Sequence, residues 1–193
     1  MTTAIIFDWD DTLFPTTYYI KKKINKQNKK YYMHKFKALE NSIICLLKKS
    51  LQYKNVYIVT NATMTWFNMC VNKYCPGIIP YLGYVKGIMS ARDIYSSILP
   101  DDVIAWKKMC IFDILGDNKD ITQIVFASDL NNDFESAYQV KNIVPIRIKT
   151  FKFMEEPMIC QIIRQQRDFT RFLDYIIKEK KLDNFNFYWK KIS

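Results

Sequence analysis

Short apolar runs recur along the chain at residues 4–8, 56–60, 84–89, 123–129 and 144–148. Their centres, IIF, VYIV and IVFA, are apolar without alternation, which suits strands covered on both faces. Between them, apolar residues fall at helical spacing: Phe36, Leu39, Ile43, Leu46 and Leu47 in one segment, and Val103, Trp106, Met109, Cys110, Asp113 and Ile114 in another. Strand alternating with helix predicts an α/β protein, with a doubly wound, mainly parallel, Rossmann-like sheet of about five strands flanked by helices. The segment EEPMICQIIRQQRDFTRFLDYIIKEKK predicts one amphipathic helix over 156–181, opened by Pro157 and covering the sheet.

Nothing along the chain divides it. There is no repeat, no Gly/Ser linker and no low-complexity tract, so residues 1–193 read as one domain. The gap 16–53 holds a helix over 34–50 that must cross over to the second strand, preceded by a short flap and a lysine-rich loop. The gap 61–107 is taken up by a helix and the third strand. Neither leaves space for a sizeable cap domain, so a site above the sheet should be open.

Composition narrows the class. An apolar fraction of 49% is that of a globular protein. No apolar stretch approaches the roughly 18–20 residues that span a bilayer, and the opening MTTAIIFDWDD carries no signal-peptide pattern. A soluble intracellular protein is expected, in the cytoplasm or the nucleus, without a membrane partner. The five cysteines are an odd set without zinc-ligand spacing, and read as free thiols. The net charge of +10 is local: residues 20–54 hold eleven lysines against a single acid, Glu40, and the rest is neutral. That segment is either a solvated face or an attractor of phosphate-rich partners such as nucleic acid. His34, the only histidine, has no carboxylate to orient it. Trp66, Trp106, Trp189 and the pair Tyr31-Tyr32 read as packing residues.

The candidate chemistry lies where the apolar runs stop, because ligands of open α/β sheets bind beyond the carboxyl ends of the strands. The first run ends in Asp8, with Asp10 and Asp11 following; the second ends in Thr60-Asn61; the fourth ends in Ser128-Asp129, with Asp133 just beyond. Trp106-Lys107-Lys108 heads a helix between the third and fourth. Crowded carboxylates call for a cation. If the backbone stays extended past Asp8, Asp8 and Asp10 face the same side, whereas Asp11 faces away and serves the local turn. One carboxylate could then attack phosphorus, the other move the proton, and magnesium lie between Asp8, Asp129 and a phosphate oxygen. Thr60 and the amides after Asn61 could hold the phosphate. Lys107 or Lys108 would offset its charge.

FDWDDTLFPT, VYIVTNAT and ASDLNND resemble the first, second and fourth motifs of the haloacid dehalogenase-like superfamily of phosphohydrolases, in order and each at a predicted strand end, with the third only a lysine in context. The resemblance implies catalytic roles for Asp8, Asp10, Thr60 and Lys107. It implies substrate contacts from Thr12, Thr60, Asn61 and Lys107, and a magnesium site formed by Asp8, Asp10 and Asp129 with Asp133 behind it. It also selects Lys107 over Lys108. The chain departs from the common pattern at Asp11 and Ser128, where glycine is frequent, and neither change removes a ligand. Capless relatives imply a phosphate on a phosphoprotein, a nucleic-acid end or a nucleotide. The competing expectation is a catalytically weak or inactive binding module of the same fold, associated with nucleic acid through the basic segment 20–54.

Overall fold

The structure, a computed structural model, describes residues 2–25 and 27–186; Lys26 and Trp189 fall outside them. Among the described residues, six strands form one sheet: β1 (Thr2–Phe7), β2 (Asn55–Thr60), β3 (Gly87–Ser90), β4 (Ile121–Ser128), β5 (Arg147–Lys152) and β6 (Asn184–Asn186). All neighbours are parallel, in the order β3-β2-β1-β4-β5-β6. Among the described residues, eight α-helices connect them: α1 (Thr16–Lys21), α2 (Lys29–Ser50), α3 (Met64–Tyr74), α4 (Ile79–Leu82), α5 (Ala91–Tyr95), α6 (Val103–Asp117), α7 (Asn131–Lys141) and α8 (Ile159–Lys178).

The unbroken apolar runs are explained by two cores. Ile5, Phe7, Ile58, Val125 and Phe151 face α2, α3 and α8, while Ala4, Ile6, Val59, Ile124 and Phe126 face α5, α6 and α7. Successive residues of one strand thus enter opposite layers, and both layers are dry. The stripe Phe36, Leu39, Ile43, Leu46 and Leu47 of α2 is wholly buried, as its spacing predicts. The two central strands, β1 and β4, pair from Thr2 to Phe7, so their carboxyl ends lie side by side. This is the doubly wound α/β architecture expected, with one strand more.

Boundaries moved where a residue's type misrepresents its place. The fifth strand lies at 147–152 rather than 144–148, because Pro145 cannot donate to a ladder and the chain turns there, Ile146 N–H bonding to the Val144 carbonyl at 2.7 Å. Lys149 hides the true strand: it is fully buried, and its ammonium donates to the carbonyls of Ile176, Ile177 and Glu179 at the end of α8. A lysine there does what capping does elsewhere, satisfying carbonyls that the last helical turn leaves open. The third strand is shorter than 84–89, with Tyr84 exposed. The last helix spans 159–178, inside the expected 156–181, and α2 begins earlier than residue 34. The five cysteines are free thiols.

Between β1 and β2 the chain supplies only α1, α2 and a short turn, and between β2 and β3 only α3, α4 and a short turn. No domain-sized insertion rises over the sheet among the described residues. None of the described helices is long and apolar enough to cross a membrane.

Candidate active site

The ladder of β1 extends one residue past the strand, Asp8 N–H bonding to the Ala127 carbonyl at 3.0 Å. There the chain folds over itself. The Trp9 carbonyl accepts from the amides of Leu13 and Phe14, both at 2.9 Å, and Asp11 takes a left-handed φ of 52°. Trp9 drives this turn by entering the core, its ring stacked 5.8 Å from Phe14 and edge-on to Phe67 at 4.5 Å. With Trp9 anchored inside, Asp8 and Asp10 both face the opposite way, into a cavity above the sheet.

Asp10 is held from three sides. Its Oδ1 accepts from the Trp66 indole N–H at 3.0 Å and from the Thr16 hydroxyl, and its Oδ2 accepts from the Thr60 hydroxyl at 3.2 Å. Local sequence sets this up: the Thr63 hydroxyl caps α3 by accepting the Trp66 amide at 3.2 Å, which fixes the first turn from which Trp66 reaches Asp10. Thr60 also accepts the Ala62 amide at 3.0 Å, so its hydroxyl is engaged on both sides.

The cation comes from α6. Asp102 caps that helix through the Ala105 amide at 2.9 Å, and Lys107, in its second turn, reaches the carboxyl ends of the central strands β1 and β4. Its ammonium donates to Asp8 Oδ1 at 2.7 Å and to Asp133 Oδ2 at 2.6 Å. Lys108 points elsewhere, to Gln139 Oε1 at 3.1 Å. Asp133 sits in the first turn of α7, where the helix dipole favours an acid, and also accepts from the Ser128 hydroxyl. Ser128 thereby adds a hydrogen bond to the lysine's anchor.

These groups surround a cavity of about 350 Å³ lined by Asp8, Asp10, Asp11, Asn61, Lys107 and Asp129 together with Thr17, Leu130, Glu155 and Glu156. Carboxylates outnumber ammonium groups, and the electrostatics record it. Burial raises Asp8 well above the ordinary carboxylate range; Lys107 opposes this, and Asp133, Asp10 and Asp129 reinforce it. Burial also raises Asp129, with repulsion from Asp11 and Asp133, to about 7. Burial alone would lower Lys107, but the carboxylates of Asp133 and Asp8 outweigh it and hold the ammonium above its usual range. The cavity is thus short of positive charge.

A hard divalent cation fits that deficit. No three His, Cys, Asp or Glu side chains among the described residues form a ready-made metal-ligand group, so the expected trio of Asp8, Asp10 and Asp129 does not close: Asp10 is committed to its three donors. Magnesium, however, is commonly held by one or two carboxylates, keeping waters and substrate oxygens as its other ligands. Asp8 and Asp129 meet that description.

Of the residues expected at the site, Asp8, Asp10, Asn61, Lys107 and Asp129 line the cavity, and Asp133 and Thr60 stand directly behind it. Thr12 does not reach it. The turn folds Thr12 inward, where it is fully buried and its carbonyl accepts from Gln166 Nε2 at 3.2 Å. Asp11, expected to face away, lines the cavity, because its left-handed φ breaks the extended alternation on which that expectation stood. Its carboxylate does serve the turn, accepting the Thr17 amide at 3.0 Å. Trp66 does more than pack. Glu155 and Glu156 were missed, although they follow the end of β5 as Asp129 follows β4, and the same strand-end rule would have found them.

No family model, curated protein or solved structure matches this chain. What fold and site define is a parallel α/β protein with an acidic, lysine-bridged cavity at the carboxyl ends of its central strands.

Proposed function

We propose that the chain is a magnesium-dependent phosphomonoester hydrolase of the haloacid dehalogenase type, working through an aspartyl phosphate. The observation that carries this reading is the meeting of Asp8, Asp10, Asp129 and Lys107 in one open cavity from three separate parts of the chain. Asp8 attacks phosphorus, forming the acyl phosphate as the ester P–O bond breaks. Asp10, held by Thr16, Thr60 and Trp66, gives its proton to the leaving oxygen. In the second half Asp10 takes a proton from water, and that water attacks phosphorus to release inorganic phosphate and the Asp8 carboxylate. Lys107 fixes Asp8 in place and offsets charge on the phosphoryl oxygens. Asp8 and Asp129 would hold magnesium, which would supply further stabilisation of that charge.

Asn61, at the carboxyl end of β2, lines the cavity and would contact the phosphate. Without a cap, the cavity suits a phosphate carried on a macromolecule or a nucleotide. The test is hydrolysis of para-nitrophenyl phosphate by purified protein. Turnover with magnesium, its loss in EDTA and its loss in Asp8→Asn are expected. Magnesium-dependent turnover that survives Asp8→Asn contradicts the reading.

A further inference from the structure

A second cavity, of about 280 Å³, opens between α1, α2 and the start of α8. Its lining is mostly carbon, from Tyr18, Ala38, Met158, Ile159 and Ile163, and His34, Lys35 and Cys160 complete it. Its rim is basic. Lys22 Nζ lies 5.9 Å from the Tyr18 ring centre, and Lys35 Nζ lies 5.5 and 5.7 Å from the rings of Tyr31 and Tyr32. Neither lysine pairs with a carboxylate among the described residues, unlike Lys21 with Glu156 and Lys49 with Asp174. The one acid of this segment, Glu40, is buried and committed to Lys37 and the Gly77 amide. The start of α8 adds the positive end of a twenty-residue helix with no acid in its first turn. Met158 of its lining and Tyr31, beside Lys35, are large apolar side chains that stand exposed.

We infer that this cavity is a docking site for an acidic polypeptide segment that inserts one large apolar side chain. Charge complementarity selects an anionic partner, and the shape selects a peptide among anionic partners. A concave pocket of aliphatic walls takes up a side-chain anchor, while acidic neighbours meet the lysine rim. A nucleic-acid backbone has no apolar group to place there, and its bases stack on flat, exposed rings rather than entering an aliphatic pocket. The location gives docking a use. Tyr18 and Met158 wall this pocket, whereas Thr17, Glu155 and Glu156 line the acidic cavity, so the two openings flank α1. A chain anchored in one would pass α1 towards the other. That the anchored chain is the phosphorylated substrate rests on the hydrolase reading; the docking itself does not.

The test is selection of a displayed random-peptide library against the Asp8→Asn protein, followed by fluorescence anisotropy with the enriched peptide. Enrichment of sequences with one large apolar residue flanked by Asp or Glu is expected. Ala38→Trp, which fills the pocket from an exposed position, and replacement of the peptide's apolar residue by serine should each weaken binding about thirtyfold, as loss of an anchor does. Lys22→Glu with Lys35→Glu should weaken it and reduce its salt dependence. Unchanged thermal melting of each variant separates lost docking from lost folding. The inference is overturned if no such peptides are enriched, or if Ala38→Trp leaves their binding intact. It is equally overturned if a single-stranded oligonucleotide or phosphatidylserine vesicles bind in an Ala38-dependent manner and the peptides do not. Because Asp8→Asn carries the binding assay, failure of the hydrolase reading would show only in turnover.

Discussion

Asp129 should make the metal-free protein less stable than it needs to be. Its carboxyl rises from 3.8 to about 7, through burial first and then repulsion by Asp11 and Asp133. At about 1.4 kcal/mol per pKa unit, holding it ionised in the folded chain costs about 4 kcal/mol, an upper bound because water in the cavity relaxes part of it. The sign follows from proton counts. The unfolded chain sheds this proton near 3.8 and the folded chain keeps it to about 7, so the folded state binds more protons in between. The contribution is fully present below 3.8 and is lost as pH rises through about 7. Asp129→Asn removes it. In urea melts with EDTA, wild type minus variant should therefore drift against wild type as pH rises from about 5 to about 8, ending with the variant more stable by up to the same 4 kcal/mol. Magnesium should then stabilise wild type by about 2.7 kcal/mol at a hundredfold excess over its dissociation constant, and the variant hardly at all. A variant less stable than wild type at high pH, with magnesium stabilisation intact, would refute the reasoning.

Other perturbations separate the site's parts from its scaffold. Lys107→Met leaves Asp8 and Asp133 buried without their shared cation, and should cost about 3–5 kcal/mol in a urea melt as well as abolishing turnover. Thr60→Val removes one of three donors from Asp10, and should lower kcat more than it raises KM, since that hydroxyl stands behind the cavity lining, engaged with Asp10 and the Ala62 amide. At Gly77 an added methyl would lie 2.7 Å from Glu40 Cδ, whereas at Gly116 it meets nothing within 4 Å. Gly77→Ala should therefore destabilise, while Gly116→Ala, inside α6, should stabilise by about 0.5–1 kcal/mol in thermal melts. Lys149→Met strips the carbonyls at the end of α8 of a shared donor, and should cost about 1–3 kcal/mol, with hydrogen exchange rising first in the last turn of that helix.

The central strands were legible because burial on both faces writes itself into sequence as unbroken apolar runs, and IIF, VYIV and IVFA all fell in β1, β2 and β4. The polar residues that close those runs then marked the cavity, since a parallel sheet brings its strand ends together. Legibility failed where polar residues are buried. Lys149 concealed β5, and in α6 the buried face is shifted by Lys107, so that Val103 is exposed and Ala105 and Ile111 are inside. The turn after Asp8 was opaque for a different reason. Alternation assumes extended backbone, and the left-handed Asp11 sends its own carboxylate into the cavity and Thr12 into the core. The three-residue β6 is too short for any periodic signal. Bonds made across the fold, such as Trp66 to Asp10, have no local trace at all.

The decisive measurement is a rapid acid quench of the protein during turnover, followed by peptide mass spectrometry. A phosphoryl group on the Asp8 peptide, labile to hydroxylamine and formed only with magnesium, is the predicted result. Turnover at full rate with that peptide never modified, or with the label on another residue, would contradict the account.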